Sequence, residues 1–337
     1  KLEAEIKAKR NKDLLMSYGL VPVKGQEEWL KRYEFLQQFL KESRQFGAQR
    51  RASEALAVSM AMKNMATKAG FADVTRLTLA METQLVKSYA VFFEKKEAEG
   101  VSLSLSVDEY GRASITAGKD GKTLKSVPAR LKKNEYYLQL KEVYTKLKEQ
   151  YSRTVKMFEQ AMEERERYRF GELLELCGNP VAEPVVRSLV WIVDKQPVSG
   201  GSWRENPSPV SGFGQESQLT ASGFLRENGL QDHSGRMVPL DAGDYLRVAH
   251  PADLYREGSW TAYQKFLFEG GKKQPFKQVF RELYVKLPEE LERTHSLMFA
   301  GNQIQPSKTA ACLKARRWVA DYEEGLQKIY YKDNIIA

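Results

Sequence analysis

The sequence predicts an α+β fold: a mostly helical N-terminal half carrying a small β-meander, a β-rich segment near 185–287, and a helical C-terminus. Three observations carry this. Apolar residues recur every three or four positions through the first ninety-five or so residues, the period changes to two at Val101, and a β-branched and aromatic run, SLVWIVD, opens at Ser188.

Trp29, Leu30, Tyr33, Leu36, Phe39 and Leu40 share one face of a first helix, and that face is core. A second helix, roughly Ala52 to Thr67, is rich in Ala and Met. The stretch KAGFAD stops it, and a third starts after Gly70 with Asp73 as N-cap and Leu77, Met81 and Leu85 one turn apart. At Val101, VSLSLSV alternates, Asp108 to Gly111 turns, ASITA follows and Lys119-Asp120-Gly121 turns again, which gives a meander at about 101–127 closed by Pro128. A long amphipathic helix comes next, striped by Leu140, Tyr144, Leu147, Tyr151, Val155, Phe158 and Met162; the aromatics favour a globular core over a coiled-coil partner. Beyond Gly178-Asn179-Pro180 lies the buried strand SLVWIVD. A loop rich in Ser, Gly and Pro at about 196–216 is read as disordered or as a lid. Short strands are expected around Gly223 to Arg226 and Tyr245 to Val248, with a turn at His233 to Gly235 and a further strand-like stretch from Gln274-Pro275. Helix returns from about Pro288, most clearly over Ala310 to Tyr322. The chain divides into a helical region with the meander, 1–180, and an α+β region, 181–337; one compact domain is the alternative. Opening on Lys1 without Met, the chain is read as a fragment of a longer polypeptide.

Fifty-three Lys and Arg against forty-four Asp and Glu give a net charge of +9, which favours anionic partners. Both signs are interleaved along most helices, so a nucleic-acid surface requires a clustered basic face, with Lys141, Lys146, Lys148, Arg153 and Lys156 as its candidates. Cys177 and Cys312 stand far apart and form no disulfide framework or metal motif. No apolar stretch approaches the length of a membrane span and the first residues lack a signal-peptide core, so no membrane association and a cytoplasmic location are expected.

Chemistry-bearing motifs are sparse. His233, His250 and His295 each lack a partner at metal-ligand spacing, GKDGK at Gly118 to Lys122 is a hairpin turn and not a phosphate loop, and no nucleophile elbow occurs. No metal and no cofactor are expected. The segment Tyr245 to Tyr284 stands apart: His250-Pro251 and Gln274-Pro275 each place a polar side chain at the end of an element. If those ends converge, His250, Gln274, Lys277, Gln278 and Arg281 form a cationic cluster for a carboxylate, phosphate or amide. On the competing structural reading, His250 caps a helix beginning near Asp253 while Gln274 and Gln278 satisfy backbone groups at a junction.

Six pieces, in order, resemble a known family: Ala52 to Gln84, Gly121 to Lys133, Ser152 to Arg165, SLVW at Ser188 to Trp191, HPADL at His250 to Leu254 and QPFKQVFRELY at Gln274 to Tyr284. Together they resemble the C-terminal domain of MolR-like bacterial proteins, a DUF4132-type domain of unknown function once labelled molybdate metabolism regulators and sometimes found with a WGR domain. The resemblance implies no reaction, substrate or cofactor. Relatives associated with MoxR-type AAA ATPases and von Willebrand A-type proteins, and the WGR domain met near DNA-repair and ADP-ribosylation machinery, imply an interaction role. The 196–216 loop is longer than the family pattern requires. Three functions compete: a non-catalytic regulatory or protein-interaction module, an enzyme or ligand-binding domain using the His250/Gln274/Lys277/Arg281 cluster, and a nucleic-acid-associated domain.

Overall fold

The computed structural model describes residues 2–194, 221–285, 287–295, 297–315, 318–321, 325–327, 331–332 and 335–336. The 196–216 loop lies outside them. The chain is α+β and falls into two units, one holding residues 1–196 and 218–281 and one that includes everything from Glu282 onward.

Helices α1 (Leu2–Lys9), α2 (Lys12–Tyr18), α3 (Gln26–Glu42), α4 (Ala48–Ala69) and α5 (Val74–Ser88) pack around Ile6, Leu15, Tyr33, Leu36, Met65 and Leu77, all fully buried. KAGFAD works as its residues dictate. Gly70 takes the left-handed conformation (φ 79°), the Phe71 amide reaches back to the Ala66 carbonyl, and the Asp73 carboxylate accepts the Arg76 amide at 2.7 Å to start α5. The meander follows as four antiparallel strands in chain order, β1 (Lys96–Ala98), β2 (Val101–Val107), β3 (Ala113–Lys119) and β4 (Lys122–Leu124). Its Asp108 turn closes on Gly111, where φ is 82° and an added Cβ would stand 2.6 Å from the Val181 carbonyl.

The striped helix is α6 (Glu135–Glu164), capped by the Asn134 side chain. Its stripe serves two cores in succession: Leu140 and Leu147 pack on the meander, while Phe158 and Met162 pack on the larger sheet. A buried Glu82 carboxylate, bonded to the Tyr33 hydroxyl and to Arg153, ties α6 back to α3 and α5.

After α6 come β5 (Tyr168–Arg169), α7 (Phe170–Leu176), α8 (Ala182–Ser188) and β6 (Val190–Val193), then β7 (Ser222–Arg226), β8 (Gly229–Gln231), β9 (Met237–Pro239) and β10 (Tyr245–Val248), followed by α9 (Pro251–Glu257) and α10 (Trp260–Glu269). The strands form a six-stranded antiparallel sheet ordered β5-β10-β6-β7-β8-β9. SLVWIVD is apolar without alternation because both faces of β6 are covered. Trp191 faces Phe158 and Tyr168 in edge-on contacts, whereas Val190 and Ile192 face Leu254, Tyr263 and Leu267 of α9 and α10.

Two expectations are corrected. Past Val248 the first unit has no strand among its described residues: 251–257 and 260–269 are helical, and the stretch at Gln274-Pro275 runs in bends and turns to Arg281, its amides bonding locally to the Phe276 and Gln278 carbonyls and to the Gln274 side chain in place of a partner strand. In the second unit α11 (Pro288–Leu291) and α12 (Pro306–Ala315) are helical, but the helix read over Ala310 to Tyr322 ends at Ala315. Val319–Asp321 is instead strand β11, paired with β12 (Gly325–Gln327), and a short pair β13 (Tyr331–Lys332) and β14 (Ile335–Ile336) follows. An apolar period of three or four does not show where a helix gives way to a three-residue strand.

Candidate functional site

The predicted residues come together, and most of them are consumed in doing so. β10 delivers the chain to Ala249, and His250 becomes the N-cap of α9, with Pro251 in the first helical position. The His250 Nδ1 accepts the Ala252 amide at 3.2 Å, and the Asp253 carboxylate accepts the His250 amide at 3.1 Å, a reciprocal cap written by H-P-A-D. Accepting at Nδ1 requires a neutral ring. Burial holds the His250 pKa below its usual value; Asp253 acts against that shift, and the charges of Arg281 and Arg165 add to it.

Gln278 is fully buried and saturated. Its amide nitrogen donates to the carbonyls of Val190 (2.7 Å) and Ala249 (2.9 Å), and its oxygen accepts the Val190 amide (2.9 Å) and the Gln274 side chain (2.7 Å). That is the full capacity of a carboxamide. It extends the β6–β10 ladder by one step beyond the last strand residue, where a lone backbone pair, Ala249 to Val190, would otherwise face unpaired groups. Gln274 completes the tie, donating to the Ser188 carbonyl at 3.2 Å and accepting the Val279 amide at 3.1 Å. Arg281 is equally occupied: it donates to Glu159 and, at 2.8 Å, to Glu163, both in the last turns of α6, and to the Lys277 carbonyl at 3.2 Å. Lys277 itself is exposed.

What faces outward beside this strap lies one step away, around Asp253. Its side chain is 1% exposed and pairs with Arg247 of β10, with Arg256 at 3.3 Å and with Arg165 at 4.0 Å. Burial alone would raise the Asp253 pKa, but the Arg247 hydrogen bond and charge, the His250 amide and the Arg165 charge together hold it below the usual carboxylate range. One carboxylate therefore serves three guanidiniums. Arg247 is mostly buried, whereas the Arg165 and Arg256 side chains are 57% and 61% exposed. Burial, with repulsion from Arg247 and Arg256, pulls the Arg165 pKa down against the attraction of Asp253 and Asp194. Arg165 also ends α6 in the left-handed conformation, φ 54°, which is unusual for a residue with a side chain. Asp253 Oδ1 is buried and makes no hydrogen bond, only the two ion pairs.

Sequence reasoning missed Arg165, Arg247 and Arg256. A signal was present: Arg247, His250, Asp253 and Arg256 recur at intervals of three through a strand end and a helix start. It also missed a buried tie farther along the same α9–α10 face of the sheet, where Ser222 and Ser259 donate to the Glu257 carboxylate at 2.5 and 2.6 Å and Ser222 lies 3.1 Å from the Tyr263 hydroxyl, with His233 edge-on to that ring. Those residues are too dispersed in sequence to have been linked.

Other chemistry finds less support. Among the described residues no three His, Cys, Asp or Glu side chains converge as metal ligands, and no helix is long and apolar enough to cross a membrane. Burial pushes the Cys177 thiol up to about 11, away from nucleophilic use. Of the five cations proposed for nucleic acid, Lys146 is paired with Glu34 and Glu142 and Arg153 with Glu82, which leaves Lys141, Lys148 and Lys156 exposed along α6.

The first unit is thus an α+β scaffold in which a saturated polar strap backs a cationic rim. Residues 121–318 match the family described as a domain of unknown function, DUF4132, and the chain belongs to that family. Residues 1–81, the helices through the first half of α5, match a second family of unknown function, DUF5724. No curated protein and no solved structure matches the chain.

Proposed function

We propose that this chain is a non-catalytic, MolR-like interaction module, and that Arg165 and Arg256 hold an acidic group of a protein partner over the buried Asp253. One observation carries the reading: the glutamine and arginine side chains of the strap are spent on backbone groups and ion pairs, while the two arginines beside them are more than half exposed and both pair with Asp253, which Arg247 already engages. A planar guanidinium pair with surplus donors binds carboxylate bidentately, and at a surface it does so with strong salt dependence. The interaction role also agrees with the resemblance to MolR-like proteins, whose relatives associate with AAA ATPases and von Willebrand A-type partners. A cytoplasmic location fits such partners.

The test is binding of a fluorescent hexaglutamate peptide to the whole chain at low and moderate salt. Saturable binding that weakens as salt rises, and that is lost in Arg165→Gly and Arg256→Ala, is expected. Equal binding of a hexalysine control, or unchanged binding by both variants, sinks the reading.

A further inference from the structure

A second basic site lies among the N-terminal helices. Arg10, Lys12, Gln49, Arg50, Ser53 and Glu54 line a cleft of about 430 Å³, within the ~300–1,000 Å³ range of small-ligand sites. We infer that this cleft binds a phosphate group.

The carboxylate in the cleft acts as an anchor. Glu54 is buried and takes Arg10 through Nε at 3.0 Å and Nη2 at 2.6 Å, and Arg50 through Nε at 3.0 Å. Arg10 is fully employed: it also bonds Glu42 (3.1 Å) and the Phe39 carbonyl (2.9 Å) and stacks 3.8 Å over the Phe39 ring. Arg50 is held but not used up. Its guanidinium lies 3.7 Å over the Phe46 ring and gives only Nε to Glu54, so the two terminal nitrogens stay available as a fork. Among the described residues Lys12 has no carboxylate partner; its ammonium donates to the Ser53 hydroxyl at 2.8 Å.

With Glu42, which Arg10 shares with Lys7 outside the lining, four cations stand against two carboxylates, an excess of two positive charges fixed by stacking and ion pairing before any ligand arrives. A dianionic phosphate matches that excess, takes the Arg50 fork bidentately and the Lys12 ammonium as a point charge, and leaves the Gln49 amide and Ser53 hydroxyl as further donors. A carboxylate would neutralise only half of it, and a metal cation would be repelled. The side chains come largely from the first turns of α4, whose N-cap Gly47 provides no side-chain acceptor, so the helix dipole adds to the positive potential. This site is independent of the Arg165–Arg256 rim.

The whole chain is titrated at constant ionic strength with inorganic phosphate, with a phosphoserine peptide and with the same peptide unphosphorylated, followed by amide shifts of Gln49 to Glu54. Saturable shifts with phosphate, none with the unphosphorylated peptide, and at least a tenfold affinity loss in Lys12→Gln and Arg50→Gln are expected, with Arg165→Gly unchanged. Both substitutions are conservative changes of partly exposed side chains, and circular dichroism verifies that the variants are folded. Tighter binding of the phosphopeptide assigns the site to a phosphorylated partner, and equal or weaker binding assigns it to free phosphate. Non-saturable shifts, or wild-type affinity in both glutamine variants, overturns the inference.

Discussion

Gln278 and Asp253 sit on either side of the β10–α9 junction, and both are buried polar groups serving several partners, yet they are opposites. Gln278 is neutral and every donor and acceptor it owns is used on backbone groups of Val190 and Ala249 or on Gln274. Asp253 is charged, has one oxygen without a hydrogen bond, and faces more cation than it can neutralise. Saturation is the mark of a structural node, because nothing is left for a ligand to satisfy. Surplus at a solvent-facing rim is the mark of a binding node.

The comparison is most sharply broken by Gln278→Leu. That change keeps volume but orphans the Val190 amide and the Ala249 carbonyl in a dry site, and at ~1–3 kcal/mol for each buried unpaired group a loss of about 4 kcal/mol is expected in urea unfolding. A loss below about 1 kcal/mol would show that the strap is not structural. Next comes Asp253→Ala, which removes both the reciprocal cap and the counter-charge of a mostly buried Arg247; about 3 kcal/mol is expected from the same measurement. Asp253→Asn retains the cap acceptor and should recover part of it.

His250 supplies a pH test. Its folded pKa lies below the ordinary 6.5, so the folded state disfavours the protonated ring. The cap's contribution is therefore complete above about 6.5 and declines as pH falls through the folded value, where Nδ1 becomes a donor and can no longer receive the Ala252 amide. His250→Asn preserves a cap acceptor without a titrating group; its stability relative to wild type should rise steadily on acidification below 6.5, and parallel pH curves would refute the assignment.

The smallest effect separates function from stability. Arg165→Gly relieves a left-handed backbone at an exposed position and should add about 1 kcal/mol to stability while abolishing acidic-peptide binding. A structural residue would lose both together.

Much of this was legible. The stop-start at KAGFAD, the meander, the α6 stripe and the doubly covered β6 are local patterns, and each folds as its spacing predicts because one covered face or two is written into the period. The cap of α9 was legible too, since Pro251 and Asp253 stand at fixed offsets from His250. That Gln278 satisfies backbone groups at a junction was one of the two readings, but that those groups belong to residues 29 and 88 positions away is something no local pattern encodes. The strand read at Gln274 failed for the same reason: the Val190 and Ala249 groups beside that stretch are taken by glutamine side chains, a tertiary arrangement that the local pattern does not show.

By itself the sequence determined the long helices α3 to α6, the meander, β6, the caps at Asp73 and His250 and the buried faces of those elements, because backbone propensity and apolar periodicity act within a few residues. Only the tertiary structure decided which polar groups are spent and which are spare. Arg165 at the end of α6, Arg247 in a strand and Arg256 in α9 become one cationic rim only when β10 and α6 lie side by side, since charge balance at a site is a sum over neighbours in space.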